Sequence, residues 1–195
     1  MTTGNGTQSS KIDARSAAAV LLLMLVSAAV LHGMGQPWWC AQGDLTPWSF
    51  AVNSPHNSQH LFDPYTLTHV LHGIAFYALL WALAGGRLSL RQRFLLAMAV
   101  EAAWEIFENT DFVIQRYREA TISLDYFGDS IINSLGDILA CAAGYLMAAG
   151  LPLWGSIATF AGVEILLLVW IRDSLLLNIL MLLWPIEAIK AWQSG

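Results

Sequence analysis

The chain has 195 residues, of which 56% are hydrophobic and 12% are charged. Soluble globular domains are about 25% charged, so this composition excludes an ordinary soluble protein and indicates a polytopic membrane protein. The net charge is −5 and the chain has no basic run, which argues against nucleic acid as a partner. The lipid bilayer is the expected partner.

A polar N-terminal tail, residues 1–15, comes first, and we expect it to be disordered and cytoplasmic. Six apolar segments follow, and each has about the 20 residues that a helix needs to cross the hydrocarbon core of a bilayer. The predicted fold is therefore all-α, a single transmembrane domain over residues 16–195 with about six transmembrane helices. The segments are 16–33, 65–85, 93–112, 129–149, 153–171 and 174–192.

The first segment has an alternative interpretation as a cleaved signal peptide, because Lys11 and Arg15 precede it and small residues lie within it. Its apolar run is long for a signal peptide, however, and the polar lead carries an acidic residue. These features favour a retained helix.

The distribution of Lys and Arg predicts which side of the membrane each connection faces, because cytoplasmic loops are enriched in both residues. With six spans, Arg116, Arg118 and Arg172 fall on one side. The remaining cations fall on the opposite side: Lys11, Arg15, Arg87, Arg91, Arg93 and Lys190. Both termini are therefore predicted to be cytoplasmic in a multi-pass protein of the bacterial inner membrane, with the long connection 34–64 external.

Three glutamates lie in the third apolar segment, in the stretch EAAWEIFEN. Because a helix advances about 100° per residue, Glu101, Glu105 and Glu108 share a sector of about 60° on one face. An ionisable side chain inside a bilayer costs several kcal/mol unless it meets a partner. This face is therefore predicted to point into the protein interior.

Partners for these carboxylates are predicted on the second and fourth segments. His69 and His72 share a face of the second segment. Asp129, Asn133 and Asp137 share a face of the fourth. The three polar faces are therefore expected to meet inside the bundle.

The depth of these side chains follows from a count of about 1.5 Å per residue from the outer end of each segment. His72 and Glu105 both lie about 10 Å deep. Asn133 and Asp137 bracket that level at about 6 and 12 Å. A shallower group, about one turn nearer the outer surface, consists of His69, Glu108 and Asp129. The sequence therefore predicts an outward-facing pocket lined by His, Glu and Asp.

Two imidazoles and several carboxylates are the ligand set of a divalent metal such as Zn²⁺, Mn²⁺ or Fe²⁺. His69 and His72 are the predicted metal ligands, with Asp129 as the third. Glu105 and Glu108 are alternatives for that third position. Metal-bound water ionises near neutral pH, and a remaining carboxylate is the expected general base. The predicted catalytic residues are Glu105, Glu108 and Asp137, and the predicted supporting residues are Glu101, Asn133, Arg116 and Arg118.

Arg116 and Arg118 lie just outside this acidic cluster. Guanidinium groups bind phosphate in a bidentate manner, so these residues suit the phosphate of a lipid head group or a polyprenyl carrier. Salt bridges to Glu119 or Asp111 are the alternative. The leading hypothesis is a metal-assisted hydrolase or transferase that acts on a lipid or lipid-linked substrate.

Two other functions are compatible with the same residues. Acidic and His side chains inside membranes relay protons or cations, so a small proton- or cation-coupled transporter would use Glu101 and Glu164. Polar pairs also join helices, each contributing about 0.6 to 2 kcal/mol, which would suit a non-catalytic component of a membrane complex. The sequence indicates neither the oligomeric state nor the substrate.

The external connection contains Cys40, His56 and His60. We expect its two histidines either in a solvated loop or in a lid over the pocket, since loops often carry function. Cys40 and Cys141 are predicted at different depths, which argues against a disulfide bond.

Three stretches resemble an uncharacterised family of bacterial multi-pass inner-membrane proteins of unknown function: DPYTLTHVLHGIAFYALL, EAAWEIFENTDFVIQRYR and YFGDSIINSLGDILACAAGY. The resemblance covers nearly the whole chain after the N-terminal tail, and it implies a multi-pass membrane fold but no activity or ligand. The stretch GDSIINSLGDILACAAGYLM is also similar to one helix of VanZ-like membrane proteins. That match is too short to imply a function.

Overall fold

The computed structural model describes residues 12–121 and 125–195. Regular structure in these residues is helical, apart from one isolated β-bridge between Trp48 and Phe62, so the predicted all-α class is confirmed. The helices are α1 (Ala14–Met34), α2 (Thr66–Ala84), α3 (Leu90–Glu108), α4 (Asp111–Ala120), α5 (Ile131–Gly150), α6 (Leu153–Ile171), α7 (Leu175–Leu183) and α8 (Glu187–Gln193).

The first helix begins at Ala14, slightly before the predicted segment. The side chain of Asp13 accepts a hydrogen bond from the backbone N–H of Ser16 at 3.0 Å. The backbone N–H of Asp13 donates to the hydroxyl of Ser16 at 3.3 Å. This reciprocal capping box satisfies two N–H groups at the helix start. Residues 1–11 of the predicted tail lie outside the described residues.

Four helices are long and apolar enough to cross a membrane: α1, α2, α5 and α6. Outward-facing apolar side chains such as Leu22 of α1 and Val169 of α6 are 62% and 80% exposed. α3 has 19 residues, but its two arginines and three glutamates reduce its hydropathy. It packs against α1, α2 and α5, and these neighbours cover its acidic face.

The bundle has two ends, which we name after their connections. The loop end carries the connection between α1 and α2, residues 36–65. This connection packs on the start of α5, where the backbone N–H of Ile131 donates to the carbonyl of Pro37 at 2.8 Å. The turn end carries the short connection between α2 and α3. There the guanidinium of Arg91 lies 3.5 Å from the carboxylate of Asp13 at the start of α1.

The last predicted span, 174–192, is wrong, because the structure divides it into α7 and α8 around Pro185. Trp184 leaves the helical conformation with φ −143° and ψ 86°, as expected from the clash between a proline ring and a preceding helical residue. α7 has 9 residues and α8 has 7, so they are about 14 and 11 Å long. Neither is long enough to cross a hydrocarbon core of about 30 Å.

Both short helices lie at the loop end. The guanidinium of Arg172, which follows α6, donates to the carbonyl of Trp192 in α8 at 3.2 Å. The ammonium of Lys190 donates to the carbonyl of Glu119 near the end of α4 at 2.7 Å. Within the described residues the chain therefore has five long helices rather than six. Lys190 lies on the same side as Arg116, and not on the opposite side as predicted.

The third predicted segment, 93–112, ends early, because α3 stops at Glu108 and α4 begins at Asp111. Thr110 is extended, with φ −77° and ψ 149°, and its hydroxyl donates to the carbonyl of Phe107 at 2.6 Å. The chain therefore turns a corner at the loop end. Depths counted from the predicted end of this segment are about one turn, or about 5 Å, too large.

The most extensive helix contact in the bundle joins α2 and α5. A Cβ on Gly144 would meet the carbonyl oxygen of Val70, and a Cβ on Gly73 would meet the carbonyl oxygen of Cys141. Glycine at both positions lets the two backbones touch, as small residues do between membrane helices. This contact holds the histidines of α2 against the polar face of α5.

Gly144→Leu is expected to lower the thermal stability of the detergent-purified protein, because the new side chain must separate α2 from α5. Overpacking of this kind costs about 1–3 kcal/mol. Thermal unfolding followed by circular dichroism measures the change. Gly162→Leu in α6 is the control, since a Cβ there meets nothing within 4 Å. Equal unfolding temperatures for the two variants would contradict the close contact.

Candidate functional site

Glu101 is the centre of a polar cluster between α2 and α3. Its carboxylate is fully buried and lies 2.6 Å from Nδ1 of His69 and 3.0 Å from Nδ1 of His72. The two imidazoles are three residues apart on α2, so both face the same acid. One glutamate therefore accepts hydrogen bonds from both histidines.

Glu105 and Asp137 extend this cluster. Glu105 lies one turn after Glu101 on α3, and its Oε1 is 3.3 Å from Nδ1 of His69. Asp137 lies on α5, and its Oδ2 is 3.9 Å from Nε2 of His69. His69 is thus the point at which α2, α3 and α5 meet.

The pairing of acids with histidines differs from the pairing that the sequence count suggested. The count put His72 level with Glu105, whereas His72 contacts Glu101 in the structure. The early end of α3 explains the difference: counted from Glu108, Glu101 is about 10 Å deep, and His72 is about 9 Å from the start of α2. His69 and Glu105 are each about 4.5 Å deep by the same count.

The cluster holds more carboxylates than cations. Glu101, Glu105 and Asp137 are all buried, and no Lys or Arg of the described residues lies within 4.0 Å of them. Both carboxylate oxygens of Glu105 and Oδ1 of Asp137 are buried without a hydrogen-bond partner. Such groups are costly in a low-dielectric interior, so the cluster requires protons or a bound cation.

Two sets of side chains in the cluster offer ligand atoms close enough to hold one metal ion. The first set is His69, His72 and Glu101, and the second is His69, Glu105 and Glu108. In each set the ligand atoms lie within 4.8 Å of one another. Imidazole nitrogens and carboxylate oxygens suit Zn²⁺, Mn²⁺ or Fe²⁺. The cluster can therefore hold a divalent metal ion, with His69 common to both sets.

A cavity of about 70 Å³ lies beside the two histidines at the loop end. Glu108, Asp129 and Asp137 line it together with both imidazoles. Other parts of its wall come from the connection 36–65, from α4 and its following loop, and from α7, and include Asn57, Ser58, Tyr117, Tyr126, Asn178 and Leu182. The sequence analysis did not predict the contribution of α7. Its only signal was the single polar residue in the stretch LLLNILMLL.

Asp129 lines the cavity but forms its hydrogen bonds away from the histidines. Its Oδ1 accepts a hydrogen bond from the hydroxyl of Tyr126, and its Oδ2 accepts one from the side-chain amide of Asn109, both at 2.9 Å. Both oxygens of this predicted metal ligand are thus engaged. Glu101, predicted only as a supporting residue, contacts both imidazoles.

The connection 36–65 is attached to the start of α5 and covers the cavity. The side-chain amide of Asn133 donates to the carbonyl of His60 at 2.7 Å, so Asn133 fixes the connection and does not orient an imidazole. The backbone N–H of Ser130 donates to the carbonyl of Ser58 at 2.9 Å. His60 is fully buried. Of the two expectations for this connection, the structure therefore favours a lid over a solvated loop.

The two predicted phosphate-binding arginines lie on α4 at the loop end. Nε of Arg116 donates to the carbonyl of Leu182 on α7 at 2.7 Å. The guanidinium of Arg118 lies over the ring of Phe127, 4.7 Å from its centroid. Arg116 thus joins α4 to α7 beside the cavity, while the Arg118 side chain is exposed.

Comparison with known proteins relates the chain to one family. A sequence model described as "Protein of unknown function (DUF2585)" matches residues 31–195. The chain is 51% identical over 178 residues to a UPF0314 protein of Sinorhizobium fredii, and the aligned region covers 91% of this chain and 89% of the relative. It is 48% identical over 177 residues to a UPF0314 protein of Paracoccus denitrificans, with 91% of each chain covered. It is also 48% identical over 199 residues to one of Rhizobium meliloti, with 100% of each covered. No solved structure matches the chain.

Proposed function

The chain belongs to the DUF2585 family, whose function is unknown, and we propose that it is a metal-assisted hydrolase or transferase of the bacterial inner membrane. Its substrate is a lipid or lipid-linked molecule that reaches the site from the outer leaflet. The observation that carries this proposal is the set of buried carboxylates around His69 and His72, which lies beside a cavity and has no compensating Lys or Arg in the described residues.

The distances favour His69, His72 and Glu101 as the metal ligands. Nδ1 of each imidazole faces Glu101, at 2.6 and 3.0 Å, so a divalent ion between them would replace these hydrogen bonds with ligand bonds of about 2.0–2.2 Å. Nε2 of His69 faces Asp137 at 3.9 Å, and a carboxylate in that position commonly orients a metal-bound histidine. Glu101 takes the place of Asp129 as the third ligand in this proposal.

The ion, when bound, would supply Lewis acidity that makes water ionise near neutral pH. Glu108 lines the cavity and belongs to the second ligand set with His69, so its carboxylate is the general base that accepts a proton. Glu105 has two oxygens without hydrogen-bond partners, and its negative charge would balance the charge of the ion. Without a cation these buried carboxylates destabilise the folded protein, whereas with a bound ion they would balance its charge and accept a proton.

A lipid substrate is supported by the surroundings of the cavity. Leu183 and Trp184 at the end of α7 are 77% and 72% exposed, and they form an apolar surface suited to acyl chains. Arg116 binds the backbone of the neighbouring Leu182, which itself lines the cavity. Since guanidinium groups bind phosphate, Arg116 and Arg118 are proposed to hold the phosphate of the head group.

A transporter would need a polar route from the cavity to the turn end. The interior next to the histidines is instead an apolar layer, in which Met98, Ile138 and Cys141 are fully buried. This layer separates the histidines from Arg93, whose guanidinium is buried nearer the turn end. Glu164, which a transporter would use as a relay, directs its carboxylate to the backbone N–H of Leu176 at the start of α7, at 3.4 Å. These contacts favour a site that opens on one side only.

The topology proposed with this function has five crossings, by α1, α2, α3, α5 and α6, with the N-terminus cytoplasmic and the end of the chain outside. Four cations of the described residues lie at the turn end, Arg15, Arg87, Arg91 and Arg93, and Lys11 precedes α1 in the sequence. The loop end carries Arg116, Arg118, Arg172 and Lys190. The excess of cations at the turn end supports a cytoplasmic turn end. It is smaller than the excess that six spans predicted, because Lys190 lies at the loop end.

Glu101→Gln is expected to lower the activity more than about 100-fold, because loss of a residue that only supports a metal ligand already costs about 10–100-fold. The assay uses the purified protein in vesicles of phosphatidylglycerol and phosphatidylethanolamine containing a polyprenyl diphosphate. Mass spectrometry measures released phosphate and head groups. Elemental analysis of the same samples is expected to show the loss of bound metal.

Glu187→Gln is the matched control for this assay, since Glu187 is exposed on α8. The proposal is contradicted if Glu101→Gln and Glu187→Gln retain the same metal and the same activity. A wild-type protein with no turnover, together with a Glu101→Gln variant that loses only assembly with other membrane proteins, would favour the non-catalytic component instead.

Ser194→Cys and Leu45→Cys are expected to react alike with a membrane-impermeant maleimide added to spheroplasts, because both positions lie at the loop end. Gly86→Cys at the turn end is expected to react only after lysis. The native Cys40 and Cys141 are buried, so the background is low. If Ser194→Cys reacted in the manner of Gly86→Cys, the end of the chain would lie in the cytoplasm and the five-crossing topology would fail.

A further inference from the structure

A second cluster of metal-ligand side chains lies in the connection 36–65, apart from the histidines of α2. Sγ of Cys40 is 3.5 Å from Nδ1 of His56. The same nitrogen is 3.2 Å from Nε2 of His60. These three ligand atoms lie within 4.8 Å of one another, although Cys40 is far from the two histidines in the sequence.

The orientation of His60 directs an unprotonated nitrogen into this cluster. Its Nδ1 lies 2.6 Å from the carbonyl oxygen of Thr46, and a carbonyl oxygen only accepts hydrogen bonds, so Nδ1 carries the proton. A neutral imidazole then has its lone pair on Nε2, which is the nitrogen that faces His56. Histidines that bind metals are commonly fixed by such a bond from the other ring nitrogen to a backbone carbonyl.

Two distances within the cluster match those of a tetrahedral zinc site. With Zn–N bonds of about 2.0–2.1 Å and a Zn–S bond of about 2.3 Å, two nitrogens lie about 3.3–3.4 Å apart and sulfur lies about 3.6 Å from each. The observed nitrogen–nitrogen distance is 3.2 Å and the observed sulfur–nitrogen distance is 3.5 Å. Both observed distances are close to these values, so His56 is placed to share one ion with Cys40 and with His60.

Asp44 lies beside these three ligand atoms, at the exposed edge of the cluster. Its Oδ1 accepts hydrogen bonds from the backbone N–H and the hydroxyl of Thr46, both at 2.9 Å. Oδ2 faces Nδ1 of His56 at 3.9 Å. Thr46 therefore orients both Asp44 and His60.

A catalytic thiol would show the same contact between Cys40 and His56, but it must be open to a substrate. Cys40 is only 6% exposed and His60 is fully buried. Neither residue lines the cavity of the α2 histidines. A catalytic pair of Cys40 and His56 would also leave the position of His60 unexplained, since the lone pair on Nε2 of His60 points to the same side chains. The arrangement therefore favours metal binding over nucleophilic chemistry.

We propose that Cys40, His56 and His60 form a structural zinc site, in which Sγ, Nδ1 and Nε2 are the respective ligand atoms. The carboxylate of Asp44, 3.9 Å from His56, becomes the fourth ligand when its side chain turns toward the ion. A thiolate with two imidazoles suits Zn²⁺ among the common divalent ions. This site is separate from the ligand sets around His69, and its existence does not depend on the proposed enzymatic function.

The zinc site would fix one wall of the cavity. Asn57 and Ser58 lie between its two histidine ligands in the sequence, and both line the cavity. The carbonyl of His60 accepts the hydrogen bond from Asn133 on α5. Zinc would therefore hold the segment from His56 to His60 rigidly over the cavity, which gives the lid a defined position.

Cobalt reports this site separately from the α2 histidines, because only a cysteine ligand produces a thiolate-to-cobalt charge-transfer band in the near ultraviolet. The full-length protein, purified in detergent and stripped of metal, is titrated with Co²⁺. We expect the band to saturate by two equivalents, because the proposed site at the α2 histidines also takes up Co²⁺, and to disappear when Zn²⁺ is added. Cys40→Ser is expected to abolish the band, and His60→Gln to weaken cobalt binding at least 10-fold, by about 1.4 kcal/mol.

Two control variants should keep the band. Cys141→Ser removes the other cysteine, which is buried in α5. His69→Gln with His72→Gln disables the proposed catalytic site, so failure of either proposal can be recognised without the other. A folded wild-type protein that gives no band at two equivalents of Co²⁺ would overturn the zinc site, as would a band that survives in Cys40→Ser.

If Cys40→Ser does not fold, the unfolding temperature of the wild-type protein with and without Zn²⁺ tests the zinc site instead. Because a ligand that binds only the folded state stabilises it, the unfolding temperature of the stripped wild-type protein is expected to rise when Zn²⁺ is added. The rise is expected to shrink in Asp44→Asn, whose residue lies at the exposed edge of the site. An unfolding temperature that is insensitive to Zn²⁺ in the wild-type protein would contradict the proposal.

Discussion

The cost of burying carboxylates away from water is the constraint on which this structure depends. Glu101 and Glu105 lie within a long helix and are fully buried. An ionised carboxylate in such an interior must find a proton, a cation or several donors. α3 therefore has to lie where the two imidazoles of α2 can reach it, and it packs between α1, α2 and α5. Apolar side chains of α1 and α6 face outward.

Other contacts of the fold also bring partners to the buried carboxylates. The close backbone contact of α2 with α5 places His69 near Asp137, and the connection 36–65 covers the beginning of α5. α7 is too short to cross the membrane, and its side chains form one wall of the cavity. An apolar layer that includes Met98, Ile138 and Cys141 lies between the histidines and the turn end. The cluster of acids and histidines is thus confined to the half of the bundle near the loop end, where a substrate from the adjoining leaflet would arrive.

Helical periodicity predicted which polar faces meet, but it did not predict which residues pair. The glutamates of α3 and the histidines of α2 share faces by spacing alone, and that part follows from the geometry of a helix. The pairing of His72 with Glu101 depends on where α3 ends, and the break after Glu108 carries no strong sequence signal. Pro185 did mark the later break, but the apolar length of its segment resembled that of a span.

The zinc cluster in the connection 36–65 was not predicted from the sequence for a different reason. Cys40, His56 and His60 lie in irregular structure, where no period relates spacing to direction. Only the folded path, fixed by contacts such as that of His60 with Thr46, brings their ligand atoms together. The same holds for Asn133, whose partner proved to be the carbonyl of His60 in that connection.

The central claim is that the imidazoles of α2 and the carboxylates of α3 bind a divalent cation. Anomalous diffraction from crystals of the full-length protein grown with zinc, recorded at the zinc absorption edge, tests it most directly. A peak is expected about 2.0–2.2 Å from Nδ1 of His69, from Nδ1 of His72 and from the carboxylate of Glu101. A map with no peak at that position, in which both imidazoles remain hydrogen-bonded to Glu101, would contradict it.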